Sequence, residues 1–197
     1  MKHLWTRICI TLILGFTFSF SACAANSYTF DPTHTYIIWR VDHFGFSDVS
    51  GKFMAEGTLT LDETKPQNSK VNITIHTATV NTGVRKLDDI LRGSNFFNVQ
   101  QYQTATFVST KVEKTGTDTG KVYGTLTIRG ISRPVILTVK LNKMGVHPYY
   151  NVQAVGFTGS TTVKRSDFGL LGYLPGVSDE TRIEIEAEAE MGSVSLG

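Results

Sequence analysis

The residues of this 197-residue chain best suited to bind a metal or move a proton near neutral pH are its histidines. Past the N-terminal stretch these are His34, His43, His76 and His147, and none forms an H-x-H or H-E-x-x-H pair of ligand spacing. Only convergence in space would make a three-His zinc site of them; otherwise they are surface or hydrogen-bonded side chains. Serine nucleophiles have no G-x-S-x-G turn, and no glycine-rich phosphate loop precedes a helix. Both cysteines, Cys9 and Cys23, fall within the first 24 residues. Residue type and spacing thus lend no support to catalysis, metal binding or a cofactor, and the expectation is a protein that is not an enzyme.

Aromatic side chains in turn-like segments suggest a different chemistry. Phe44 and Phe46 flank Gly45, Phe96 precedes Phe97, and Phe168 opens the run Phe168-Gly169-Leu170-Leu171. Such residues either plug the ends of a core or line the mouth of an apolar pocket that carries a few polar groups. Arg165 and Asp167 are candidates for those polar groups, or else they pair with each other or with loop carbonyls.

The elements that must position these residues read as strands. Val71, Ile73 and Ile75 alternate with polar neighbours, as do Val135, Leu137, Val139 and Leu141, and Ile183, Ile185, Ala187 and Ala189. Further strands are expected at 28–30, 36–43, 53–61, about 105–112, 121–128 and 150–163, with residues 43–53 turning through Gly45 and Gly51. Turn signals recur about every ten residues, the pattern of an antiparallel all-β barrel or sandwich of about eight strands. The exception is 84–92, where Leu87, Ile90 and Leu91 sit at helical spacing and Gly93 follows as a C-cap. A barrel of about eight strands is either filled by its own side chains or holds one small ligand.

The first 24 residues have the order of a secretory signal peptide: Lys2 and Arg7, an apolar run over 8–20, then Ser21-Ala22-Cys23-Ala24. The run falls short of the about 20 apolar residues a membrane span needs. Cleavage after Ala24 is expected, leaving one domain over 25–197 in the periplasm. Phe20-Ser21-Ala22-Cys23 also resembles a lipoprotein box, which would anchor the chain at Cys23. Loss of the leader removes two basic and no acidic residues, so the 19 basic residues drop to match the 17 acidic ones. With no basic excess, binding to nucleic acid has little electrostatic support.

Four segments carry a family resemblance: Tyr28-Thr29-Phe30-Asp31-Pro32-Thr33-His34; Leu91-Arg92-Gly93-Ser94-Asn95-Phe96-Phe97-Asn98-Val99; Gly124-Thr125-Leu126-Thr127-Ile128-Arg129-Gly130; and Arg165-Ser166-Asp167-Phe168-Gly169. With Val177-Ser178-Asp179-Glu180, their order and spacing resemble the YceI-like family over nearly the whole mature chain. The resemblance implies a lipocalin-like antiparallel barrel, often periplasmic, whose elongated cavity holds a polyisoprenoid or similar long-chain amphiphile. A short helix after the fourth strand would cover one side. It also implies a possible membrane partner of the cytochrome b561 kind, and hence quinone handling. Many relatives have Lys-His where this chain has Asp42-His43, and Tyr-Pro where it has Tyr102-Gln103, which puts transfer of headgroup contacts in doubt.

On this reading the lipid-binding wall would include Trp39, Phe53, Phe107 and Phe157, with Leu87 and Leu91 on the covering helix. Phe44, Phe46, Phe97 and Phe168 would lie nearer the openings, and Arg165 and Asp167 are the headgroup candidates. A register error of one residue would exchange inside for outside. The expected function is to carry or store an isoprenoid lipid without catalysis, with no cofactor beyond that ligand. The alternatives are a hydrolase or isomerase acting on a prenyl or acyl lipid, and an interaction module for an envelope partner. A carrier should copurify with lipid, an enzyme should lose turnover on one His or Asp substitution, and a module should stay empty. A homodimer is also conceivable through exposed strand faces.

Overall fold

A computed structural model describes residues 25–192; the expected signal peptide lies outside the described residues. Nine strands form one antiparallel sheet: β1 (Asn26–Phe30), β2 (Tyr36–His43), β3 (Ser47–Leu61), β4 (Lys70–His76), β5 (Thr104–Lys114), β6 (Thr119–Ile128), β7 (Ile131–Val146), β8 (Gln153–Lys164) and β9 (Glu180–Met191). A single α-helix, α1 (Arg85–Arg92), lies between β4 and β5.

The nine strands fill eight barrel positions. β3 pairs with β2 over 47–54 and with β1 over 58–61, while β9 pairs with β2 over 182–186 and with β1 over 189–191. β1 and β2 thus share one position, separated by Asp31-Pro32-Thr33-His34-Thr35. Asp31 bridges this break through its backbone N–H to the Glu188 carbonyl at 2.9 Å. Thr35 Oγ1 donates to the same carbonyl at 3.1 Å. β3–β4 pairing closes the ring, so the barrel leaves no long free edge to template aggregation.

Turn chemistry explains two differences from the sequence expectation. β3 begins at Ser47 rather than at residue 53, because Phe44 and Gly45 both adopt positive φ (56° and 73°) and turn the chain in two residues. Gly51 consequently lies within a strand, opposite Trp39. β7 likewise starts at Ile131, directly after Arg129 (φ 52°) and Gly130 (φ 72°). At the other end of the barrel, β8 starts later than expected, since Tyr150 stacks on His147 in the loop with ring centroids 4.8 Å apart.

The β2–β3, β4–β5, β6–β7 and β8–β9 connections share the end that carries α1, here called the helix end. The β3–β4, β5–β6 and β7–β8 connections define the open end. Buried residues form three clusters around the barrel axis, one at the open end and two toward the helix end.

Candidate lipid cavity

The inward positions of the strands enclose space rather than a filled core. Two apolar lobes of ≈ 240 and ≈ 410 Å³ lie along the barrel, the smaller beneath α1 and the larger toward the open end. Ile37, Ile75, Leu126 and Ile183 border both lobes, so the two adjoin within one barrel interior. Along β3 the lining runs from Val49 to Leu61, on the order of 40 Å of strand at about 3.3 Å per residue. Small inward residues keep the space open: Ala105 on β5, Gly159 and Thr161 on β8, and Ala187 on β9.

Two glycines let large rings lie flat on the wall. A Cβ at Gly51 would stand 2.6 Å from Trp39 Cζ2, and one at Gly124 would stand 2.4 Å from Phe107 Cζ. Neither position tolerates a side chain while the ring stays where it is. Trp39 Nε1 and Thr181 Oγ1, both on residues that line the smaller lobe, are buried without a partner among the described residues.

α1 closes one side of the helix end through Leu87, Ile90 and Leu91, all facing the smaller lobe. No side chain caps its N-terminus; instead Asp88 turns back to accept from Thr82 N and Thr82 Oγ1, each at 2.7 Å. Those bonds, led by the one from Thr82 Oγ1, hold the Asp88 carboxyl below its ordinary range. Gly93 does cap the helix, in an extended conformation with φ −68° rather than the left-handed one.

Three arginines pin the helix-end loops by donating to backbone carbonyls. Arg92 reaches Ala78 O (3.0 Å) and Val80 O (2.9 Å), and Arg129 reaches Ser94 O (3.0 Å) and Phe96 O. Arg165 donates to Ser178 O (2.9 Å), Leu170 O (2.6 Å) and Val177 O (2.9 Å). Burial pulls the Arg165 guanidinium below its ordinary range, against the opposing pull of Asp179. Its guanidinium is thus committed to holding the β8–β9 connection in place.

The residues singled out from sequence fall in three places. Trp39, Phe53, Leu87, Leu91, Phe97 and Phe168 line the smaller lobe, and Phe107 and Phe157 line the larger one. Phe44 and Phe46 stand outside the cavity. Phe44 lies over Gly176, and Phe46 is 91% exposed at the tip of the β2–β3 turn. Both residues belong to the turn beyond the last β2–β3 pair, His43 with Ser47, and so lie past the end of the wall. Asp167 is exposed and does not border the cavity, whereas Arg165 borders it but is spent on carbonyls.

The four residues that border both lobes and the small residues that leave the space were not singled out. The strand alternation placed some of them inward, but absent side-chain volume leaves little trace in one sequence.

The ionisable groups that border this interior lie at its ends, with His43 and Arg165 on the smaller lobe at the helix end. The open-end mouth carries Asp62, Glu63, Glu113, Lys114 and Asp118. Asp62 accepts from Lys65 N (2.8 Å), Asn68 Nδ2 (3.1 Å) and Thr64 N (3.1 Å), which hold its carboxyl below the ordinary range, the Lys65 amide foremost. His34 sits on an outer loop, where the hydrogen bond to Asp31 raises its affinity for a proton. Asp31 and Thr33 both meet the same Nδ1 atom of His34, which is not the relay geometry of a nucleophile, base and orienting acid. No group of three His, Cys, Asp or Glu side chains is placed to hold a metal among the described residues.

A family model for the YceI-like domain matches residues 28–189. The chain belongs to the YceI-like family. It is 36% identical over 184 residues to the protein YceI of Salmonella arizonae, covering 89% of this chain and 95% of that one. Over 180 residues it is 33% identical to the UPF0312 protein of Ectopseudomonas mendocina, covering 90% and 94%. Among solved structures, the Campylobacter jejuni YCEI protein matches with TM-score 0.69 at 30% identity, covering 77% of this chain and 90% of that one. A polyisoprenoid binding domain from Saccharophagus degradans matches with TM-score 0.67 over 85% and 99%, and at 15% identity it shows the fold alone. The eight-position closed barrel with one short helix is therefore the YceI-like fold, and in this YceI-like chain the apolar interior is its candidate site.

Proposed function

We propose that this YceI-like protein binds a long-chain isoprenoid lipid, of the polyprenyl or prenyl quinone type, inside the barrel and carries or stores it without altering it. The observation that carries the reading is the pair of apolar lobes that adjoin along the barrel, which suits an extended chain better than a compact occupant. Apolar area removed from water is worth roughly 25 cal/mol per Å² before ordering costs. A prenyl chain held along the whole interior would therefore be retained strongly with few polar contacts. That a structural neighbour is a polyisoprenoid binding domain agrees with this ligand class.

A non-catalytic role fits the wall chemistry, since the side chains facing the interior are overwhelmingly apolar and Arg165 is occupied by carbonyls. The ligand is then the only small molecule the protein needs. We place its action in the periplasm, with residues 1–24 as a signal peptide cleaved after Ala24; N-terminal sequencing of the mature protein checks this and separates it from lipidation at Cys23. The reading requires neither a cytochrome partner nor a homodimer.

Native mass spectrometry of protein purified from its own host, followed by solvent extraction, tests the proposal. A stoichiometric prenyl species is expected. A Gly159→Leu variant supplies the steric control, because a Cβ there meets only Ile185 and Val139 at 3.4 Å or more. The added side chain projects into the larger lobe, so the variant should fold and lose the ligand. An empty wild-type protein that also refuses added prenyl lipids would sink the carrier reading in favour of an interaction module.

A further inference from the structure

The helix end presents apolar side chains that neither the core nor the cavity uses. Phe46 at the tip of the β2–β3 turn is 91% exposed, Val84 ahead of α1 is 57% exposed, and Leu171 in the β8–β9 connection is 60% exposed. Phe44, Ile90 and Tyr173 join them as exposed apolar residues of the same end. Contacts make the β2–β3 and β8–β9 parts one rim. Phe44 N donates to Gly176 O at 2.8 Å, His43 pairs with Val177, and the Phe96 and Tyr173 rings lie 6.0 Å apart.

Ile90 and Tyr173 also border the smaller lobe, so the exposed rim runs directly into the apolar lining. The outward face of β9 differs, with Arg182, Glu184 and Glu188 exposed. A cluster of exposed large apolar residues at a cavity mouth marks a binding surface more often than chance exposure does.

Charge beside the rim narrows the partner. Arg85 and Lys86 are exposed on α1 and join no ion pair among the described residues. Of the carboxylates at this end, Asp48 is paired with Arg182 and Asp89 with Arg92, Asp88 is turned inward onto Thr82, Asp179 accepts from Ser166 and Asp42 from Gly45 N; Asp167 and Glu180 stand exposed on the β8–β9 side, away from the free cations of α1. Apolar and aromatic tips flanked by free basic side chains suit the boundary between headgroups and acyl chains of an anionic bilayer. Among the described residues no helix is long and apolar enough to cross a membrane, so seating on a bilayer, not spanning by a helix, is the geometry at issue.

We propose that the helix end docks on a phospholipid bilayer, with Phe46, Val84 and Leu171 seated in its interface and the mouth between Ile90 and Tyr173 facing the lipid. Lipid then passes between membrane and barrel without exposing its chain to water. The proposal rests on the lipid-binding reading above. Free diffusion would instead expose the whole prenyl chain, at roughly 25 cal/mol per Å². A few interfacial side chains give reversible attachment, as a carrier that must leave again requires.

Flotation of the purified protein with protein-free vesicles of phosphatidylethanolamine and phosphatidylglycerol tests the docking. Transfer of a prenyl quinone is measured in parallel, offered either in the vesicles or in detergent micelles. The rim variant combines Phe46→Ser, Val84→Ser and Leu171→Ser, none of which lines the cavity. The control removes as many apolar side chains elsewhere, by Val108→Ser, Val146→Ser and Tyr149→Ser. Wild type and control should float and load from vesicles. The rim variant should lose vesicle affinity on the order of tenfold or more, because partitioning follows buried apolar area, yet load from micelles as wild type does. Wild-type protein that never floats, or a rim variant that floats as well as the control, overturns docking. Flotation only with vesicles containing native membrane proteins also overturns it, in favour of a protein partner. Failure to load from micelles as well as vesicles overturns the lipid-binding reading itself, and flotation, scored separately, keeps the two failures distinguishable.

Discussion

At the helix end of the barrel the connections are held by cations on carbonyls: Arg92, Arg129 and Arg165 donate to seven backbone oxygens of the segments around them. At the open end the charge and direction reverse, and the Asp62 carboxylate accepts from the β3–β4 loop that follows it. The difference follows from connection length. The β4–β5 and β8–β9 connections wrap over the barrel and leave carbonyls that no strand can satisfy, and a planar guanidinium reaches several of them at once. The shorter open-end loops need only local amide capping, and Asp62, Glu63, Glu113, Lys114 and Asp118 border the mouth there. One end is therefore closed by a pinned cover, while the other opens between short, locally capped loops.

Breaking the cover should give the largest effect. Arg165→Leu leaves the carbonyls of Leu170, Val177 and Ser178 without their donors, and a loss of about 3 kcal/mol or more is expected in urea unfolding. An unchanged midpoint would mean that water replaces the guanidinium and that the cover is not pinned by it.

A smaller effect is expected from crowding the wall beneath the cover. In Gly51→Val the new side chain must displace the Trp39 ring from a position 2.6 Å away, at a cost of roughly 1–3 kcal/mol. Trp39 is the one tryptophan of the described residues, so its emission reports the displacement and, in wild type, the arrival of ligand in the smaller lobe. Emission unmoved by prenyl lipid would place the occupant in the larger lobe alone.

The open end should yield to acid. Because the folded Asp62 carboxyl lies below its ordinary range, the unfolded state binds more protons between the folded and the unperturbed values. The stabilisation is full above the unperturbed value and is lost as pH falls through the folded one. Asp62→Asn should lower Tm at neutral pH, where that stabilisation is full, and flatten the fall of Tm below about pH 4. An equally steep acid limb in the variant would assign the sensitivity to other carboxylates, such as Asp179. The smallest effect belongs to the exposed Lys111–Glu113 pair, where Lys111→Ala should leave the urea midpoint unchanged within error because solvent screens the pair.

How much of this could be read in advance depended on whether a feature was local. Val71-Ile73-Ile75 and Ile183-Ile185-Ala187 alternate in steps of two, and both sets line the interior. Trp39, Phe53, Phe107 and Phe157, named as wall candidates with the parity of their strands left open, border the two lobes. α1 was visible from Leu87, Ile90 and Leu91, since helical spacing places all three on one face. Phe44 and Phe46 show where the same reasoning failed, because both belong to the turn beyond the last β2–β3 pair and so lie past the end of the wall.

The sequence by itself determined the strand periodicity, the helix and the family, because side-chain alternation and short motifs are properties of neighbouring residues. Only the tertiary structure decided that nine strands share eight positions, that Arg165 serves carbonyls rather than a ligand, and that two lobes adjoin at Ile37, Ile75, Leu126 and Ile183. Each of these depends on residues far apart in the chain. A cavity in particular is a volume that no residue occupies, and it exists only once the ring of strands has closed.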